Sequence, residues 1–185
     1  MSKSNDYHFI THWRVAGTCE EVDAIIGDAE GLKRWWPSVY LDTKVLEQGD
    51  ANNVGKKVAL YTKGWLPYTL RWNFVVTENR KPNGFTINAV GDFVGRGIWK
   101  FEQARNNCNV TFDWKLEAEK PLLKAFSFLL KPIFSFNHRW AMARGEESLT
   151  LELLRRRATS DEERNRISPP PSPTFPHNLT NNKIL

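Results

Sequence analysis

The sequence predicts an α+β fold in which one strongly curved antiparallel sheet of seven strands is covered on one face by a long C-terminal helix, with two short helices after the first strand. Three observations carry that prediction. Six strand-like runs follow one another between residues 39 and 119 with short, turn-rich connections, which suits antiparallel neighbours because parallel ones need crossovers of about a dozen residues or more. An alternating run near the N-terminus adds a seventh strand. A late apolar stripe at helical spacing then supplies the cover that the inner face of an open sheet requires.

The first element is HFITHWRV, where Phe9, Thr11, Trp13 and Val15 alternate with His8, Ile10, His12 and Arg14, the two-residue period of a strand. GTCEEVDAIIGDAEGLKRWWP follows. Thr18 with Glu21 three residues on forms a capping box, and Val22, Ile25 and Ile26 continue at helical spacing. Gly31 ends that helix, and LKRWW before Pro37 suits a second short helical turn. The six later runs are VYLDTKVLEQ, KKVALYTKG, YTLRWNFVVTE, FTINAVGDF, IWKFEQA and CNVTFDWKLEAE, separated by GDANNVG, WLP, NRKPNG, VGRG and RNN. Leu70, Trp72, Phe74 and Val76 share one side of their strand, as do Trp99 and Phe101, and Val110, Phe112, Trp114 and Leu116. With Trp13 they form a concave wall rich in indole rings.

The last element opens at Pro121 and ends near Arg155. Its first part, PLLKAFSFLLKPIFSFNHRW, is apolar, but a bilayer span takes about 20 predominantly apolar residues, and this run carries Lys124, Lys131, Pro132, His138 and Arg139. Leu122, Phe126, Leu129, Ile133, Phe136 and Trp140 recur at steps of four and three and so share one helical stripe. Proline inside a helix removes a backbone hydrogen bond. A break is therefore predicted at Pro132, with a short apolar helix from Pro121 to Leu130 and the main helix from Pro132 to Arg155. Residues 121–130 hold more apolar groups than one stripe needs, and so offer a lid or a surface for peripheral membrane contact. Gly145 inside the main helix costs about 1 kcal/mol relative to alanine, which points to close approach of a backbone or ligand, or else to a local kink.

A chain of 185 residues fits one domain with extensions: a flexible N-terminus over residues 1–6, the domain over 7–155, and a tail over 156–185. The tail holds five of the ten prolines, mostly in SPPPSPTFP, and its composition predicts disorder. The formal charge is +5, but residues 155–185 carry six Lys or Arg against three Asp or Glu, which leaves +2 for the body. Basicity therefore gives no argument for nucleic acid. Cys19 and Cys108 lack CxxC spacing and support neither a disulfide framework nor a zinc site; each reads as a buried or incidental thiol. No apolar h-region follows Lys3, so the cytoplasm is the expected compartment.

WRVAGTCEEVDAIIGD at the start, RWWPSV closing the helical pair, GDFVGRGIWKFE in the sheet and FNHRWAMARGEESL in the final helix together resemble the SRPBCC superfamily. That group includes START-domain and birch-pollen-allergen-like proteins and the polyketide cyclase/dehydrase and lipid-transport families. The resemblance covers about residues 7 to 155 and leaves the tail unmatched. It implies the helix-grip fold, with a cavity between sheet and C-terminal helix. Members bind lipids, polyketides, hormones or sterols, some catalyse cyclisation or hydrolysis, and some act as co-chaperones. The superfamily has no universal catalytic motif to place on this sequence.

Individual residues must therefore carry the chemistry. His8 and His12 share a helix face only if helical; on a strand they stand about 13 Å apart, and they read as surface histidines. GDFVGRGIW has no following Lys-Ser/Thr and no helix to receive an anion, so it reads as a hairpin whose glycines permit a turn or bulge. Asp92 and Arg96 flank that hairpin and would pair across it, or Arg96 would point into the cavity mouth and receive a ligand carboxylate. Alternation sends Asp113 to the face opposite Phe112 and Trp114. Asn137 and His138 neighbour Phe136 and Trp140, where a half-buried histidine would shuttle protons or simply pack at a helix edge. Tyr61 and Tyr68 offer hydroxyls with nothing to direct them to one another.

The leading expectation is binding or transfer of a small hydrophobic molecule between sheet and helix, with Trp13, Trp72, Phe74, Trp99, Phe101, Phe112 and Trp114 as the wall and Ile133, Phe136 and Trp140 as the cover. An alternative is a cyclase/dehydrase-like enzyme, for which only His138 and Arg96 compete as catalytic groups. Another is a protein-interaction module whose cavity is filled by its own rings. No metal or other cofactor is implied.

Overall fold

Burial alternates along β1 (Asp6–Ala16) as its sequence predicts: Trp13 and Val15 are buried, while His8, Ile10, His12 and Arg14 face out. The computed structural model describes residues 6–118 and 127–175. After β1 come the helices α1 (Cys19–Ile26) and α2 (Leu32–Trp35). The strands β2 (Tyr40–Glu47), β3 (Lys57–Lys63), β4 (Thr69–Asn79), β5 (Gly84–Gly91), β6 (Phe93–Ala104) and β7 (Asn107–Ala118) follow, then α3 (Ser127–Arg157) and α4 (Asp161–Arg166). The strands form one antiparallel sheet in the order β1-β7-β6-β5-β4-β3-β2. The first strand joins the last, with Trp13 opposite Val110 and Phe9 opposite Trp114. This is the helix-grip arrangement, with α3 lying across the concave face.

Local chemistry fixes the helices. The Thr18 hydroxyl accepts from the Glu21 amide at 3.2 Å, and the Glu21 carboxylate accepts from the Thr18 amide at 2.9 Å, which completes the predicted capping box. Arg157, at the end of α3, donates to the same carboxylate at 2.6 Å. The Arg157 guanidinium, with the Thr18 amide, holds the Glu21 carboxyl down at about 2. Helix α2 is tied to α3 by Arg34, whose guanidinium donates to both oxygens of the buried Glu152 at 2.8 Å, and Arg156 adds a bond at 2.9 Å. Gly145 of α3 accommodates the indole of Trp36, so the close approach, rather than a kink, accounts for that glycine.

Four expectations need correction. Helix α3 runs through Pro132 without a break. Counted from Ser127, Pro132 stands in the second turn, just past the four amides that have no intrahelical acceptor, so only one further bond is lost; residues 121–126 of the predicted first helix lie outside the described residues. The hairpin turn falls at Gly91 and Asp92, with Gly91 at a φ of +140°, so Val94 to Gly97 belong to β6. The two cysteines, 89 positions apart, meet as free buried thiols with their sulfurs 2.9 Å from one another. Much of the tail is also structured: Ser160 caps α4 by accepting from the Glu163 amide at 3.2 Å. Beyond α4 the chain returns to β3, where Lys63 donates to the Thr174 hydroxyl at 2.8 Å and that hydroxyl donates to the Trp65 carbonyl at 2.8 Å.

Candidate functional site

Between the concave sheet and α3 lies a cavity of about 240 Å³. Its wall is built by alternation. Leu70, Trp72, Phe74 and Val76 of β4 face it, as do Phe93 and Trp99 of β6 and Phe112, Trp114 and Leu116 of β7. The rings brace one another: Trp99 stacks on Phe112 with centroids 4.0 Å apart, and Trp72 meets Phe93 at 5.0 Å. Trp72 is further fixed by its indole N–H, which donates to the Thr62 hydroxyl at 2.9 Å. Phe134, Asn137, His138, Ala141 and Met142 cover the cavity from α3, and Ile26, Leu32 and Trp36 close it from the helical pair.

Five of the predicted wall residues, Trp72, Phe74, Trp99, Phe112 and Trp114, line this space. Trp13 and Phe101 are buried in the adjoining core and contact Trp99, but lie outside the lining. The helical cover is corrected in phase. Ile133 and Phe136 are 43% and 46% exposed, and Trp140 packs half-buried against the core beside the cavity. The face turned inward carries Phe134, Ala141 and Met142 instead. Tyr7, Phe9, Tyr40 and Tyr68 also contribute and were marked in the sequence only by strand parity or not at all.

Arg96 requires a second correction. It follows Gly95 and precedes Gly97 with the parity of Lys100, so its side chain leaves the convex face, exposed and 3.7 Å from Glu78. It does not reach the cavity mouth. Nor does it pair with Asp92, which accepts from the Arg71 amide at 2.8 Å. On the same outer face His8 meets Asp113 at 2.9 Å and His12 meets Thr111 at 3.2 Å. Tyr61 lies outside too, beneath the guanidinium of Arg71 at 4.4 Å.

One end of the cavity is polar. His138 stacks on Phe9 with centroids 4.3 Å apart, and its Nε2 lies 3.4 Å from the Thr11 hydroxyl. Burial, with Arg139 beside it, lowers the imidazole to about 4, so the ring is neutral at pH 7. Burial pushes the Tyr68 phenol up to about 12, with Tyr7 adding to the effect, and the Tyr7 hydroxyl has no hydrogen-bond partner among the described residues. The Asn137 carbonyl accepts from the Leu66 amide at 3.0 Å and holds the β3–β4 loop. These groups can orient a carbonyl or hydroxyl by hydrogen bonding. A base near 4 draws protons weakly at neutral pH, and no nucleophile stands beside it among the described residues.

Residues 10–159 match the family described as polyketide cyclase / dehydrase and lipid transport. The chain belongs to this family. Within the START and SRPBCC superfamily that contains it, the fold is shared with TTHA0849 from Thermus thermophilus, at a TM-score of 0.64 and 15% identity over 82% of this chain and 100% of that one. The Zhui aromatase/cyclase from Streptomyces sp. R1128 aligns at a TM-score of 0.64 and 13% identity, over 84% of this chain and 98% of that one. A START superfamily protein from Mycobacterium smegmatis aligns at 0.58 and 15% identity, over 77% and 99% of the two chains. Identities this low establish the fold alone. No curated protein matches the sequence. As a member of the polyketide cyclase / dehydrase and lipid transport family, the chain has a hydrophobic ligand-binding fold. Among the described residues, no helix is long and apolar enough to cross a membrane.

Proposed function

We propose that this protein binds and carries a small hydrophobic molecule in the cavity between the sheet and α3. The observation that supports this most is the cavity itself, an aromatic-walled space of about 240 Å³ held open by rings that pack against one another. Ligand pockets typically measure about 300–1,000 Å³ and are mainly apolar with a few polar groups, so a compact molecule suits this space better than a long chain. Ile133, Phe136 and Trp65 form an exposed apolar patch beside the lining residues Gly64 and Asn137. That patch suits peripheral contact with a membrane from which such a molecule is taken up.

A cyclase or dehydrase role is supported less well. The likeness to an aromatase/cyclase is one of fold, and the one imidazole in the lining is a weak base. A filled, purely structural cavity is disfavoured by the open space that remains among the rings.

Native mass spectrometry of the purified protein, followed by solvent extraction, tests the reading. A stoichiometric apolar molecule is expected, and Trp72→Leu should reduce affinity for it by roughly three- to tenfold through lost ring contacts. A clean unliganded mass, together with unchanged tryptophan fluorescence across a panel of apolar aromatics, would overturn it.

A further inference from the structure

At the end of the cavity opposite His138, α1 contributes a carboxyl group. Asp23 is only 6% exposed, lines the cavity, and its Oδ1 has no hydrogen-bond partner among the described residues. Buried polar groups are nearly always paired, and an unpaired acceptor withdrawn from water costs more than most hydrogen bonds return. The rest of the fold does not use this carboxyl: α1 is capped by Thr18 and Glu21 and tied to α3 through Arg157. Burial raises Asp23 above its ordinary range, with Lys81 acting in the opposite direction.

The surroundings narrow the class of group that would satisfy it. Lys56 and Lys81 line the same end of the cavity, so a cationic ligand group would meet two like charges. A neutral hydroxyl donates one hydrogen bond without that repulsion. Beyond it lie Ile26, Phe74, Phe85 and Ile87, which favour an apolar body behind the hydroxyl.

Building on the cavity-binding reading above, we infer that Asp23 is the recognition acceptor for a hydroxyl group carried at one end of the apolar ligand. The ligand class is then a hydroxylated aromatic or alicyclic compound, oriented with its hydroxyl toward α1 and its body along the Trp72 and Trp99 wall.

Equilibrium dialysis of the full chain against 2-naphthol and 2-methylnaphthalene compares a hydroxyl with a methyl on the same ring system. The wild-type protein should bind 2-naphthol at least about tenfold more tightly, as a hydrogen bond to a charged acceptor implies. In Asp23→Leu that preference should vanish while 2-methylnaphthalene binds as before. Both Asp23→Leu and Asp23→Asn should melt no lower than wild type, because no fold contact is lost. Equal binding of the two probes by wild type would mean that Asp23 faces water only and would overturn the inference alone. A lower melting temperature in both variants would assign the carboxyl to the fold and overturn it as well. Binding of neither probe would count against the cavity-binding reading itself, and the inference would go with it.

Discussion

The indole of Trp36 fills the space where a side chain on Gly145 would stand, with Cε2 2.7 Å from the position of a Cβ and Cζ2 closer still. Trp36 has no room to retreat, since Tyr40, Trp35 and Trp13 surround it at centroid distances of 5.2, 5.4 and 5.7 Å. Gly145→Ala should therefore destabilise the protein even though alanine favours a helix by up to about 1 kcal/mol. Overpacking of this kind costs about 1–3 kcal/mol. Urea unfolding should show a lower midpoint with an unchanged slope, partly restored by adding Trp36→Phe; a midpoint at or above wild type would contradict the packing described.

A second prediction concerns acid. His138 is held at about 4 in the folded chain against an ordinary value of 6.5. The unfolded chain takes up the proton first, so the stability tied to the neutral ring is complete above about pH 6.5 and declines as the pH falls toward 4. The loss across that window is on the order of 3 kcal/mol. His138→Phe, which keeps a ring on Phe9, should flatten the profile there. A separate decline should remain in both proteins as Glu21 titrates from 4.5 toward 2 and releases Arg157. An identical slope between pH 6.5 and 4 in the variant would show that His138 does not carry the effect.

Charge burial between α2 and α3 is asymmetric. Glu152 is 2% exposed, whereas its partners Arg34 and Arg156 have side chains 56% and 38% exposed. Replacing both arginines by alanine strands a carboxylate away from water, at a cost of about 3–5 kcal/mol. Glu152→Met leaves two guanidinium groups that water can solvate. Thermal unfolding should therefore rank the double arginine variant well below Glu152→Met, and the reverse order would argue against the buried carboxylate as the vulnerable partner.

The returning tail should be visible in local dynamics. Thr174 links Lys63 to the Trp65 carbonyl, and the Phe175 ring lies against Trp65. Thr174→Val combined with Phe175→Ala should leave the global melting temperature nearly unchanged while amides of residues 63–68 exchange several-fold faster, since loops open locally at low free energy. Unaltered exchange would mean that the tail does not hold that loop.

Strand parity made the sheet legible from sequence, because a one-residue error would turn a whole row of aromatics outward. The same rule should have excluded Arg96, which shares the parity of Lys100 rather than Trp99. Helix α3 was harder to phase: Ile133, Phe134 and Phe136 lie within four residues and offer two apolar stripes, and only the sheet selects between them. Asp23 gave a faint signal, lying three residues before Ile26 and so on its side of the helix. Nothing local distinguishes it from a solvated acidic residue. The meeting of Cys19 with Cys108 and the docking of Thr174 both depend on long-range topology, which spacing along the chain does not encode.

The pairing of β1 with β7 also has a consequence in time. Strands β2 to β7 form hairpins with their sequence neighbours, but β1 must wait for a partner that begins at Asn107. During synthesis at about 5–20 residues per second, the roughly 90 intervening residues take about 5–20 s to appear. Throughout that interval Trp13 and Val15 have no sheet to join. The nascent chain therefore passes through a period in which its first strand is an exposed edge, and the cavity acquires its final wall only when the last strand is made.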